Sequence, residues 1–217
     1  MSESTDIFSG FCTIRRQIFA LVAMLSVLLL GLELAASPVP AVGTDSGALA
    51  VSPRTDNSEV SRSAFATVFW VLTHPRCKNC HPAGDRPLRG DKSVPHGMNI
   101  QRRLAEVGLA CSTCHQSENT PGRRQPPGAP HWNLAPRAQV FEGRSAAQLC
   151  AQIKEPTRNG QRTLQKLFEH IRADPLVLWG WNPGEGRKPV SVSHDAFVRA
   201  FQTWINGGAH CPQESKP

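Results

Sequence analysis

Six side chains could do chemistry by their type and spacing: Cys77, Cys80 and His81, then Cys111, Cys114 and His115. They form Cys77-Lys78-Asn79-Cys80-His81 and Cys111-Ser112-Thr113-Cys114-His115, each a C-x-x-C-H. That pentapeptide is the attachment signature of a c-type haem. Cysteines three residues apart lie one helical turn apart, so both thiols reach the vinyl groups on one porphyrin edge. The histidine that follows directs its imidazole to the iron as proximal ligand. Two such motifs predict two covalently bound haem c groups. The same cysteines fit a second chemistry, because four thiolates hold zinc tetrahedrally. A zinc-binding module is therefore the alternative, but the gap from Cys80 to Cys111 exceeds the usual zinc-ribbon spacing. Zinc also gives no reason for a histidine after both pairs. A thioredoxin-like redox pair needs a βαβ pattern that surrounds neither motif.

The far side of each iron decides what it can do. Two histidines give a low potential and a closed site, methionine raises the potential, and a missing ligand opens the iron to small molecules. His74, His96, Met98, His131, His170, His194 and His210 are the candidates. His74 lies too near Cys77 to cross its own haem easily and remains an alternative ligand for the other haem. His96 has enough chain before Cys111 to lie over the second haem, with Met98 as competitor. His170, at the border of an apolar helix face, is assigned to the first haem, with His131 as the alternative.

The elements that must position these residues are helices and loops. Among 217 residues there are 17 Gly and 18 Pro and no Tyr, and charged residues make up 19%. Such a chain has many turns and a modest core, so two porphyrins would supply apolar surface for packing. The fold class expected is mostly α, a loop-rich dihaem cytochrome c-like domain with little or no β.

Formal net charge is +7, and +8 without residues 1–41. Four haem carboxylates would bring the loaded protein to about +4. That surface suits a redox protein partner with an acidic docking face. Nucleic acid is excluded as a partner, since no basic run is interleaved with aromatics.

Residues 1–41 have the three-part form of a secretory signal: a polar start with Arg15-Arg16, an apolar run from Ile18 to Leu32, then small residues ending at Ala41. The run is short for a spanning helix of about 20 residues, so cleavage is expected. Only an uncleaved anchor would put the protein on a membrane. Arg15-Arg16 resembles a twin-arginine signal, but c-type haem is attached outside the cytoplasm, so the chain should cross unfolded. Export to the periplasm leaves Cys150 and Cys211 in an oxidising compartment, where a disulfide is expected.

Residues 42–57 read as a flexible linker, 58–212 as the haem domain and 213–217 as a tail. Helices are expected from Ser58, capped by Asp56 or Ser58, to His74; over Asn99–Leu109 with Arg102 and Arg103 outward; from Ser145 to Pro156; along Leu164, Leu167, Phe168 and Ile171; and after the Ser193 cap. No strand pair stands out. Trp70, Trp132, Trp179, Trp181 and Trp204 are expected to pack haem.

His74-Pro75-Arg76-Cys77-Lys78-Asn79-Cys80-His81-Pro82 resembles a small family of exported dihaem cytochromes. So do Pro127-Gly128-Ala129-Pro130-His131-Trp132, Leu178-Trp179-Gly180-Trp181-Asn182-Pro183-Gly184 and the Cys211-Pro212 end. The resemblance spans roughly residues 60–212. Members are often labelled subunits of isoquinoline 1-oxidoreductase, a molybdenum hydroxylase, which implies an electron carrier taking electrons from such an enzyme. Val94-Pro95-His96 is also similar to the small dihaem subunit of periplasmic nitrate reductase, where a histidine upstream of a haem motif is a distal ligand. The expectation is an electron-transfer protein with no catalytic residues of its own, passing single electrons between a dehydrogenase and a respiratory acceptor. The rivals are a haem enzyme with one open iron, peroxidase-like or reducing a small ligand, and a haem-based sensor.

Overall fold

The computed structural model describes residues 56–214. The expected signal and nearly all of the linker lie outside the described residues, as do the last three residues of the tail. Among the described residues no helix is long and apolar enough to cross a membrane.

The fold is mostly α-helical. Helix α1, Asn57–Leu72, begins where Asp56 accepts from the Ser58 amide at 3.0 Å. Its apolar residues recur at helical spacing, so Phe65, Val68, Val71 and Leu72 fall on one buried face. The last helix, α8 (His194–Asn206), is capped by Ser193 and buries Phe197, Phe201 and Trp204 against α1. Phe65 and Trp204 meet at 5.1 Å between ring centroids. The crossing is close enough that a Cβ on Gly207 would stand 2.8 Å from that of Ser61. Ser61 uses the proximity, donating to the Trp204 carbonyl at 2.9 Å and accepting from the His210 amide at 3.0 Å.

Between these two helices the chain forms α2 (Pro75–Lys78), β1 (Leu88–Arg89), β2 (Val94–Pro95), α3 (Arg102–Glu106) and a 3-10 turn at Cys111–Thr113. Then follow α4 (Ala146–Lys154), α5 (Pro156–Asn159), α6 (Leu164–Ala173), α7 (Pro175–Leu178) and a 3-10 turn at Trp179–Trp181. Ser145 and Gln148 cap α4 reciprocally, which satisfies two otherwise free donors. Leu149, Cys150 and Ile153 of α4 and Ile171 of α6 complete the core. The Cys150–Cys211 disulfide forms as expected, with sulfurs 2.05 Å apart, and ties the end of the chain to α4.

Four local expectations need correction. The helix expected over Asn99–Leu109 is confined to α3, because Met98 and Asn99 take positive φ and Gly108 turns the chain. Arg102 does not point outward: it lies inward, donating to the Ala135 carbonyl and facing Asp85 at 3.8 Å. Trp70 packs no core, being 63% exposed on the outer face of α1. A two-residue antiparallel ladder pairs Leu88 with Pro95 and Arg89 with Val94 although no strand pair stood out.

Candidate haem-attachment sites

The first motif turns as its spacing requires. Cys77 sits in α2 and the Cys80 amide donates back to the Cys77 carbonyl at 3.1 Å. Three separate segments then grip the motif through its backbone. The Asn79 carbonyl accepts from Leu88 at 3.0 Å, Cys80 from Ala135 at 3.1 Å and His81 from Phe141 at 2.9 Å. The His81 ring is fixed in turn. Its Nδ1 lies 2.9 Å from the Gln139 carbonyl and Phe141 stacks on its face at 3.7 Å. A carbonyl can only accept, so the proton sits on Nδ1 and the Nε2 lone pair is free for a metal. Burial pushes His81 down to about 4, which keeps the ring neutral.

Cys77, Cys80 and His81 line one cavity of about 300 Å³ with His170, Trp179 and Phe201 on other walls. Burial pushes the Cys77 thiol up to about 12 and the Cys80 thiol to about 11. The nearby Arg76 guanidinium partly opposes this at Cys80. His170 therefore faces the same cavity as His81. Its Nδ1 lies 3.1 Å from Asp174, an acceptor that frees Nε2, and burial holds the ring neutral. His131 lines this cavity too. His74 does not: its Nδ1 accepts from the Arg76 amide at 3.2 Å and caps α2, so that lone pair is spent.

The second motif repeats the local geometry. The Cys114 and His115 amides donate to the Cys111 carbonyl at 3.2 and 3.0 Å. His115 Nδ1 lies 2.7 Å from the Pro127 carbonyl and Trp132 stacks on the ring at 4.7 Å. Gly128, next to Pro127, lets the chain pass close to the Gln116 and Glu118 carbonyls, since a Cβ there would overlap both. Burial again lowers His115. Opposite stands His96, placed by the hairpin through its amide on the Pro87 carbonyl at 2.8 Å, with its own Nδ1 3.0 Å from the Gly97 carbonyl. The His96 and His115 centroids are 6.2 Å apart. A metal about 2 Å from the nitrogen of each of two facing imidazoles separates their centroids by about 6 Å. Met98, the competitor, is 80% exposed. Val107 and Leu109, leading into this motif, are also exposed, at 78% and 46%.

The two sites adjoin. Asn133 lines the first cavity and lies 3.6 Å from the Cys111 sulfur, while Ala135 two residues on binds Cys80. Trp132, stacked on His115, meets Trp179 of the cavity wall edge-on at 4.9 Å. His194 is not brought to either site, since its Nε2 lies 2.9 Å from the Ile171 carbonyl, and His210 lies on the far side beside α1.

The residues fit two haems on their own features. Four unpaired cysteines stand in two turns, two neutral imidazoles offer Nε2, and buried polar atoms of Arg76 and Gln139 have no partner among the described residues at the first cavity. Zinc would need several ligands converging on one point, and among the described residues no group of three or more His, Cys, Asp or Glu does so. Sequence reasoning expected Trp132 against haem but missed its stack on His115, and it missed the contacts that Phe141, Gln139 and Pro127 make with the motif histidines. Two of these act through backbone carbonyls, which every residue has. No known family model matches the chain, and no curated protein or solved structure matches it either.

Proposed function

We propose that the chain is an exported dihaem cytochrome c, an electron-transfer protein of the periplasm rather than an enzyme. The observation that carries this reading is the shared arrangement after each C-x-x-C. Both histidines hold Nδ1 on a backbone carbonyl, carry an aromatic ring on one face and leave Nε2 free. Each haem would supply a one-electron couple at its iron. Cys77 and Cys80 would hold the first group by thioether bonds, and Cys111 and Cys114 the second. His81 and His115 serve as proximal ligands, with His170 and His96 as their distal partners.

The chain's own part is to exclude water from the first site, keep the His81, His115 and His170 imidazoles neutral and bring the two groups close. The segment from Asn133 to Ala135, touching both motifs, supports that proximity. The positive surface would steer an acidic redox partner, with a molybdenum hydroxylase as a donor of suitable chemistry. Two measurements on periplasmic protein test the reading. Mass spectrometry and a pyridine haemochrome assay are expected to find two porphyrins per chain; a bare polypeptide, or one with zinc, overturns it. The reduced spectrum is expected to stay unchanged under carbon monoxide; a shifted Soret band would instead favour an enzyme with an open iron.

A further inference from the structure

Arg76 immediately precedes the first motif and is almost wholly buried, its side chain 1% exposed. Its Nη2 donates to Asp91 at 2.7 Å and its guanidinium lies 5.6 Å from the centre of the Trp179 ring. Its Nε finds no acceptor among the described residues. Asp91 is an overcommitted counter-ion. It is 38% exposed, it also accepts from the Lys188 amide at 3.3 Å, and Arg187 lies close enough to feel it and Arg76. Asp91 thus answers Arg76 directly and Arg187 at longer range. A buried cation with a spare donor is costly unless a second anion meets it. The free side of Arg76 lines the cavity beside Cys77, Cys80 and His81. Resting on the function proposed above, we infer that Arg76 is an anion anchor. It donates through Nε to a carboxylate of the porphyrin held in the first cavity, fixes that group's orientation, and raises the reduction potential of its iron. Asp91 acts as the opposing charge that limits the effect.

The test compares the matured full-length protein with Arg76→Gln, Arg76→Lys and Asp91→Asn. Haem content comes first: wild-type chain without porphyrin overturns the functional reading itself. With two haems retained, Arg76→Gln is expected to disfavour reduction of one haem about tenfold, a shift of roughly −59 mV for one electron. Arg76→Lys should restore most of it, and Asp91→Asn should move the same haem the opposite way. The porphyrin carboxylate bands in resonance Raman spectra should shift for one haem in the Gln variant. A merely structural arginine would lower the melting temperature and leave potentials and bands in place. That result overturns this proposal while the dihaem reading stands. If Arg76→Gln does not accumulate, Asp91→Asn decides, and an unchanged or lowered potential overturns it.

Discussion

Cys77–His81 is gripped by three distant segments through its own carbonyls and opens onto a cavity walled by α1, α6 and α8. Cys111–His115 has the same turn and the same imidazole geometry, yet no backbone bond among the described residues ties its carbonyls to a distant segment. Cys114 is exposed, and so are Met98, Val107 and Leu109 nearby. The local arrangement is thus repeated while its setting is not. One site is built by the polypeptide before a group arrives, because its walls belong to the main core. The other has only loops, and gains its apolar contacts when a group covers those exposed side chains. On the proposed function, the second haem would therefore be the one open to a partner.

The largest expected effect breaks this contrast most directly. Replacing Cys77 and Cys80 by Ala is expected to lower the melting midpoint by about 10 °C, since the core helices lose the group they enclose. Replacing Cys111 and Cys114 should leave a folded one-haem protein within about 5 °C of the parent. Circular dichroism melts and intact mass read both, and equal losses would end the distinction. Next, His170→Ala should open the first iron to carbon monoxide and His96→Ala the second, each shifting part of the Soret band. His131→Ala and Met98→Ala should open neither; a shift in either variant would reassign that distal ligand.

The smallest effect lies in acid. His81 in the unloaded chain has its acidity shifted from 6.5 to about 4 by burial. The unfolded chain therefore binds this proton first as pH falls. The stability His81 contributes is complete above pH 6.5 and is lost toward pH 4, a drop of about 2 kcal/mol after allowing for partial exposure. Urea unfolding at pH 7.5 and 4.5 measures it, and His81→Phe should flatten the difference. Iron on Nε2 would move the loss to lower pH, so the loaded protein should resist acid better at the first site.

Much of this was legible beforehand because it rests on local chemistry. The caps Asp56, Ser145 and Ser193 announce their helices, and the spacing of Leu164, Leu167, Phe168 and Ile171 announces α6. Cys150 and Cys211 were left once the motifs claimed the other four. The spacing of the motifs pointed to His81 and His115, and the structure sets His96 beside His115 and His170 in the cavity that His81 lines. What stayed hidden is set by distant contacts. Arg102 reads as a surface cation until the Ala135 carbonyl turns it inward. The Leu88–Pro95 ladder is too short to show alternation, and Trp70 belongs to an apolar run but falls on a face of α1 that no described residue covers.

Six cysteine sulfurs lie in the described part of the chain, and only Cys150 and Cys211 are joined. Six free thiols admit 15 complete pairings, and closing either C-x-x-C on itself would block porphyrin attachment. On the proposed export and haem attachment, assembly would have to join one pair while sparing four neighbours. Oxidant and reductant would then act on the same polypeptide, and the yield of finished protein should depend on their balance as much as on haem supply.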